Sequence, residues 1–129
     1  MVSERGNLPQ PTRTELNILR ILWSKGQGTV REVHEALNEV ENSGYTTALK
    51  MLQVMHQKGL VRRDDSSRAH VYSAVVTKED TQRNFITDLR NRLFDGSTSQ
   101  LVLQALGNSE QPDQEQLEKI RALIEEMED

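Results

Sequence analysis

The residue pattern of this chain changes at Gly59. Before this glycine, apolar residues recur every three or four positions in three short segments, the spacing of helices with one buried face. After it come two runs rich in β-forming residues, LVRR and AHVYSAV, on either side of the turn-forming residues DDSS. The pattern predicts three short helices followed by a β-hairpin, which limits the fold to a compact trihelical core with a small extension.

Capping residues place the predicted helices. Thr12 with Glu15, and Thr29 with Glu32, have the spacing of a capping box, and Gly59 suits the left-handed position that ends a helix. The residues predicted to face the core are Leu16, Leu19, Ile21, Leu22 and Trp23 in the first helix, Val30, Val33, Leu37 and Val40 in the second, and Ala48, Met51, Leu52 and Met55 in the third.

Composition excludes several classes of protein. The 129 residues include no cysteine, so disulfides, thiolate metal sites and cysteine nucleophiles are absent. No apolar run approaches the length of a membrane span, and the start, MVSERGNLPQ, lacks the apolar centre of a signal peptide. We therefore expect a cytoplasmic protein with no membrane association.

Catalysis and metal binding find little support in the motifs. The chain has three histidines far apart in sequence and lacks a zinc-protease motif, a glycine-rich phosphate loop and a nucleophile elbow. We expect no catalytic residue, no cofactor and no metal site. A pair of histidines brought together by folding to sense a metal stays open as an alternative.

The charge is divided unevenly along the chain. Residues 1–77 hold ten Lys and Arg against eight Asp and Glu, a net +2, whereas residues 78–129 hold six against twelve, a net −6. These values sum to the net charge of −4. The division suggests a first half that faces a polyanion and a second half that faces protein or water.

The second half has the pattern of three thin amphipathic helices. Thr77 with Asp80 can cap the first of these helices. The segment GSTS precedes the second helix, and NSEQPD separates the second from the third. These helices are too few to enclose a core alone, so the segment is expected to form a homodimer. Packing against the chain's own first half is the alternative. The predicted dimerisation residues are Phe85, Leu89, Leu93, Leu101, Val102, Leu117, Ile120 and Ile124.

The order helix, helix, helix, hairpin is that of a winged helix-turn-helix. The predicted fold class is mostly α with a small β-hairpin: a winged-helix DNA-binding domain over residues 8–76 and a helical dimerisation domain over 77–129. The third helix, about 46–58, would enter the major groove, and the basic hairpin, about 60–74, would follow the DNA backbone as a wing.

The outward face of the third helix carries side chains that can contact bases. Lys50 can donate to guanine, Gln53 can pair with adenine, and Thr46 or Thr47 can reach a phosphate or a thymine methyl group. The wing arginines would contact phosphate. An ordinary solvated helix face or turn is the alternative in each case. The predicted DNA-contacting residues are Thr46, Thr47, Lys50, Gln53, Lys58, Arg62, Arg63, Arg68 and Arg13.

Long segments of the sequence resemble the penicillinase, methicillin-resistance and copper-responsive repressors, the BlaI/MecI/CopY family. They are LPQPTRTELNILRILWSKGQGTVREVHEAL, YTTALKMLQVMHQKGLVRRDDSSRAHVYSAVVTKED and LVLQAL. The resemblance implies a transcriptional repressor that binds a palindromic operator as a homodimer. A winged-helix module that binds protein without sequence-specific DNA binding is the alternative, and an enzyme accessory or small hydrolase is a third class.

The sequence departs from this family where release from DNA is concerned. The copper branch uses cysteines, which this chain lacks. In the β-lactam branch a membrane-bound sensor protease triggers cleavage at an Asn-Phe pair, and the matching position is Gln104-Ala105. An Asn-Phe pair occurs one helix earlier, at Asn84-Phe85. The resemblance offers a sensor protease as a candidate partner, and the departure at Gln104-Ala105 leaves three alternative means of release: cleavage at another bond, a bound ligand or a bound metal.

Overall fold

The computed structural model describes residues 10–108 and 113–128, apart from the side chains of Asn108, Ile124, Met127 and Glu128. The fold is mostly α with a small antiparallel sheet, which confirms the predicted fold class. The elements in chain order are α1 (Arg13–Lys25), β1 (Gly28–Thr29), α2 (Val30–Leu37), α3 (Tyr45–Lys58), β2 (Val61–Asp64), β3 (Val71–Ala74), α4 (Lys78–Leu93), α5 (Thr98–Asn108) and α6 (Gln114–Glu128).

Both predicted capping boxes form. At the start of α1 the Thr12 hydroxyl accepts from the Glu15 amide at 3.3 Å, and the Glu15 carboxylate accepts from the Thr12 amide at 2.9 Å. Thr29 and Glu32 make the same pair of bonds at the start of α2. Gly59 ends α3 at a φ of 84°, a left-handed conformation that disfavours residues with a Cβ. Local sequence signals therefore set these helix ends.

The core lies between the first three helices and the sheet. Most of the residues predicted to face inward are buried, whereas Leu16, Ile21, Trp23 and Met51 are only partly buried. The core also includes side chains that the predicted stripes omitted. Its buried members are Ile18, Leu19, Leu22, Val30, Val33, Leu37, Ala48, Leu52, Met55, Leu60, Val61 and Tyr72.

The end of α2 corrects the prediction that Val40 faces the core. The helix ends at Leu37, and Val40 is 65% exposed. Asn38 follows the helix, and its side-chain oxygen accepts from the Ser43 amide at 3.3 Å. Because the chain leaves the helical path at this point, the three- and four-residue spacing no longer places Val40 on the buried face.

The sheet has one strand more than the predicted hairpin. Its order is β1-β3-β2 with antiparallel pairing throughout, and Gly28 of β1 lies opposite Tyr72 of β3. The β2 and β3 strands pair from Val61 opposite Ala74 to Asp64 opposite Val71. The wing is thereby joined to the turn between α1 and α2, which fixes its root to the helical core.

The chain divides into two compact units, one ending at Thr87 and the other starting at Asp88. The first turns of α4 belong to the first unit, because Thr81 is buried and the Asn84 carbonyl accepts from the Gln10 side chain at 3.0 Å. Thr77 caps α4 as predicted, accepting from the Asp80 amide at 3.0 Å. Among the described residues, no helix is long and apolar enough to cross a membrane.

Candidate nucleic-acid interface

The α3 helix has one face in the core and the opposite face in water. Ala48, Leu52 and Met55 are fully buried, so the helix cannot turn about its axis without losing this packing. Its exposed side chains include four of the predicted base-contacting residues: Thr46, Thr47, Lys50 and Gln53. Lys50 has no ion-pair partner among residues 10–108 and 113–128. The helix therefore presents free donors and acceptors to an external ligand.

The N-terminal end of α3 also suits an anion. Its N-cap is Gly44, which offers no side chain to cap the helix. The first amide groups of the helix are therefore not satisfied by a side-chain cap, and the helix dipole places a partial positive charge there. A phosphate placed at this end would accept from those amides.

Tyr45 is a candidate that the sequence analysis missed. It is the first residue of α3, is half exposed, and meets the ring of His34 edge to face at a centroid distance of 5.8 Å. A His34 ring nitrogen lies 3.0 Å from the Ser43 carbonyl oxygen, which holds the imidazole in place. A phenol held at the open end of α3 can donate to a phosphate. The sequence signal that could have indicated this contact is the aromatic residue directly before Thr46, at the start of the predicted third helix.

The two adjacent wing arginines lie on opposite faces of the sheet. Arg63 lies opposite Tyr72, which is 1% exposed, and shares its inner face, whereas Arg62 is exposed on the outer face. Arg63 is held internally: its Nε lies 2.8 Å from an oxygen of Asp65, and Tyr72 and Asp65 raise its pKa above the ordinary value. Arg63 is thus paired within the wing, and its contact with the DNA backbone stays a prediction.

The tip of the wing is an ordered turn. An oxygen of Asp64 accepts from the Ser66 amide at 2.9 Å, and the bonds from Ser66 lower the pKa of Asp64. The Ser67 hydroxyl donates to the Ala69 carbonyl at 3.0 Å. Arg68 is exposed between these groups and has no ion-pair partner in the described chain. It remains available for a phosphate.

Lys58, the last residue of α3, also has an internal partner. Its ammonium group donates to a carboxylate oxygen of Glu15 at 2.7 Å, and Glu15 is only 1% exposed. Burial raises the pKa of Glu15, but the bonds from Lys58 and Thr12 outweigh it and leave that pKa below the ordinary value. Lys58 is thus paired within the chain, and its contact with DNA stays a prediction.

The remaining predicted residues lie in several places. Arg13 is exposed at the start of α1. Phe85 is half-buried in the first unit, beside α1, and the side chain of Ile124 lies outside the described residues. Leu89 and Leu93 are exposed on α4, and the other predicted dimerisation residues, Leu101, Val102, Leu117 and Ile120, are partly buried. Within the described ranges, no group of three or more His, Asp or Glu residues is arranged to hold a metal ion.

Comparison with known proteins agrees with this architecture. The sequence model of the penicillinase repressor family matches residues 11–126. The transcriptional regulator BlaI of Mycobacterium tuberculosis (strain CDC 1551 / Oshkosh) is 32% identical over 90 residues, which cover 69% of this chain and 65% of that relative. The match therefore spans just under two thirds of the relative's length. The penicillinase repressor of Bacillus licheniformis is 24% identical over 119 residues, 92% of each chain.

A solved structure supports the fold. The solution structure of the monomeric form of Bacillus licheniformis BlaI in complex with the blaP half-operator is 23% identical in sequence and superimposes with a TM-score of 0.50. The superposition covers 57% of this chain and 89% of that one. At this level of identity the similarity establishes the winged-helix fold of the first unit.

Proposed function

Because this chain belongs to the penicillinase repressor family, we propose that it is a transcriptional repressor that binds double-stranded operator DNA. The observation that carries the proposal is the free polar face of α3, which is held outward by the buried Ala48, Leu52 and Met55. The structurally similar BlaI forms a complex with a half-operator, which supports the same use of this fold.

Base recognition is assigned to two side chains of α3. The major groove accepts an α-helix, and a lysine can donate there to guanine O6 and N7, while a glutamine amide matches the donor and acceptor of adenine. Lys50 and Gln53 are one helical turn apart along the exposed face, so they would address neighbouring base pairs. Thr46 and Thr47, closer to the open helix end, suit a phosphate or a thymine methyl group.

Backbone contacts are assigned to the wing and the helix end. Arg62 and Arg68 are exposed cations without an ion-pair partner in the described chain, and Tyr45 adds a hydroxyl at the start of α3. Such contacts fix the register of a protein on DNA without reading its sequence. Arg13, exposed at the start of α1, is a further phosphate candidate.

We further propose that the repressor is a homodimer through its C-terminal helices. Leu93, Leu103 and Leu123 are each more than half exposed, on α4, α5 and α6 respectively. Covering such leucines with a second copy would contribute at most about 1.5 to 3 kcal/mol for each side chain, because each is already partly buried. A dimer places two α3 helices on one duplex, which matches an operator made of two inverted half-sites.

Binding of the full-length protein to a labelled random-sequence duplex tests whether the ligand is DNA. We expect fluorescence anisotropy to give an affinity that falls steeply as salt rises from about 50 to 200 mM, because bound phosphates release counterions. Replacing Arg62 and Arg68 by Ala should flatten this dependence, whereas Lys119→Ala on the solvated face of α6 should not. Absence of binding at about 50 mM salt would favour the protein-binding alternative.

A further inference from the structure

A groove between α1 and the first turns of α4 has no part in the proposed DNA contacts. It encloses about 580 Å³ and lies entirely within the first unit. Four apolar residues and two basic residues form most of its lining: Leu16, Trp23, Phe85 and Ile86, with Arg20 and Lys78. Its volume falls within the range of small-molecule sites, roughly 300 to 1,000 Å³.

The walls of this groove offer apolar surface with few free hydrogen-bonding groups. The Trp23 indole N–H donates to the Val76 carbonyl at 3.0 Å, so the polar edge of this ring is already satisfied. The Thr81 hydroxyl, which also lines the groove, donates to the Thr77 carbonyl at 2.8 Å. Ile86 is 51% exposed, so part of the apolar wall faces water. A ligand in this groove would therefore bind mainly through its own apolar part, packed against these walls.

The charges of the groove have one sign. Arg20 and Lys78 line it, and neither forms an ion pair in the part of the chain that the structure describes. Among the described residues that line the groove, none carries a carboxylate. Unpaired cations beside an apolar wall complement a ligand that joins an apolar body to an acid group. The apolar body would cover the apolar wall, and the negative charge would face the two cations.

We propose that this groove binds a small amphipathic anion, consisting of an aromatic body that covers the apolar wall and one carboxylate that faces Arg20 and Lys78. The proposal is independent of DNA binding, since none of the groove residues belongs to the proposed DNA contacts.

The single tryptophan of the chain provides a direct assay. In ¹⁵N-labelled full-length protein, Trp23 gives one indole N–H resonance, and 1-naphthoate serves as the probe. We expect a saturable shift of this resonance with 1-naphthoate, and about tenfold weaker binding of the neutral isostere 1-naphthamide because it loses the charge that would pair with the two cations. Arg20→Gln and Lys78→Gln should each weaken naphthoate binding up to about fivefold, the range for a solvent-exposed ion pair. Lys25→Gln, a charge of α1 outside the groove lining, should leave it unchanged.

A second variant tests whether the probe binds in the groove or on other apolar surface of the protein. Gln82, exposed at the groove, can be replaced by Phe to fill the mouth while both cations remain. This change should abolish the naphthoate shift. Equal affinities for naphthoate and naphthamide, or no shift of the Trp23 resonance, would overturn the proposal. A shift that appears only on dilution to the monomer would overturn it too, because a second copy of the chain would then be the occupant.

Discussion

The ion pair between Lys58 and Glu15 gives a quantitative test of how α3 is held against α1. It joins the last residue of α3 to the first turn of α1 across 43 positions of sequence. Lys58→Met keeps most of the apolar length of the side chain and removes the ammonium group. Glu15 would then keep its bonds within the capping box but lose its ammonium partner, in a site that is 1% exposed.

The expected cost follows from burial and charge. A hydrogen bond to a charged group contributes about 1.5 to 3 kcal/mol, and removal of one partner of a fully buried pair costs about 3 to 5 kcal/mol. The Lys58 side chain is 31% exposed, so water can reach one end of the pair. We therefore expect Lys58→Met to lower the free energy of unfolding by about 1.5 to 2.5 kcal/mol at pH 7, the lower part of these ranges. Arg31→Met, which removes a surface pair with Glu35 at 3.9 Å, should cost at most about 0.5 kcal/mol.

The pH dependence has a defined sign. The pKa of Glu15 is lowered in the folded protein, so its contribution is fully present above the unfolded pKa of about 4.3 and is lost as the pH falls through the folded value. The stability difference between the natural chain and Lys58→Met should therefore shrink as the pH falls below about 4.3.

Urea denaturation of the two proteins at pH 7 and at several values below 5 measures this difference. Equal urea midpoints at pH 7, with unchanged slopes, would refute the assigned role of the pair. So would a difference that persists unchanged in acid, because the lost contribution would then not depend on the Glu15 charge.

Three further predictions concern DNA contact, assembly and release. On a selected operator, Lys50→Ala should cost about 1 to 3 kcal/mol of binding free energy and relax the base preference at one or two positions. Arg68→Ala should instead weaken binding to all duplexes alike and lower the slope of affinity against salt by about one. An equal loss of affinity for operator and random duplex in Lys50→Ala would assign this residue to phosphate contact. Leu93→Asp should shift the full-length protein from dimer to monomer in analytical ultracentrifugation. Val40→Asp, which changes a similarly exposed residue of the first unit, should leave the dimer intact. A natural chain that sediments as a monomer at about 10 µM would contradict the dimer. The chain should resist an activated family sensor protease at 104–105, and fragment masses that end at position 104 would disprove this.

Local signals in the sequence predicted most of the first unit. Capping boxes, helical spacing and glycine ends depend on residues a few positions apart, and Thr12, Thr29 and Gly59 act in the structure as the sequence indicates. The β1 strand has two residues, too short to show an alternation, so its pairing with β3 was not predictable. Val40 shows the opposite case, since the helical spacing continues in the sequence beyond the point where α2 ends.

The candidate site was predictable only in part. The outward face of α3 follows from its buried face, so Lys50 and Gln53 could be selected from spacing alone. Alternation along β2 could have separated Arg62 from Arg63, because adjacent strand residues face opposite sides. The Glu15 partner of Lys58 could not be found in this way, since it depends on how α1 and α3 pack.

Selection of bound duplexes from a random-sequence library by the purified full-length protein tests the central claim most directly. We predict enrichment of an inverted repeat whose half-site centres are separated by about 10 base pairs or a multiple of this distance, as expected for two α3 helices on one face of the duplex. The same selection with Lys50→Ala should lose the preference at one or two positions in each half. A library recovered without any enriched sequence would contradict a sequence-specific repressor, and an enriched single half-site without its inverted partner would contradict the dimer.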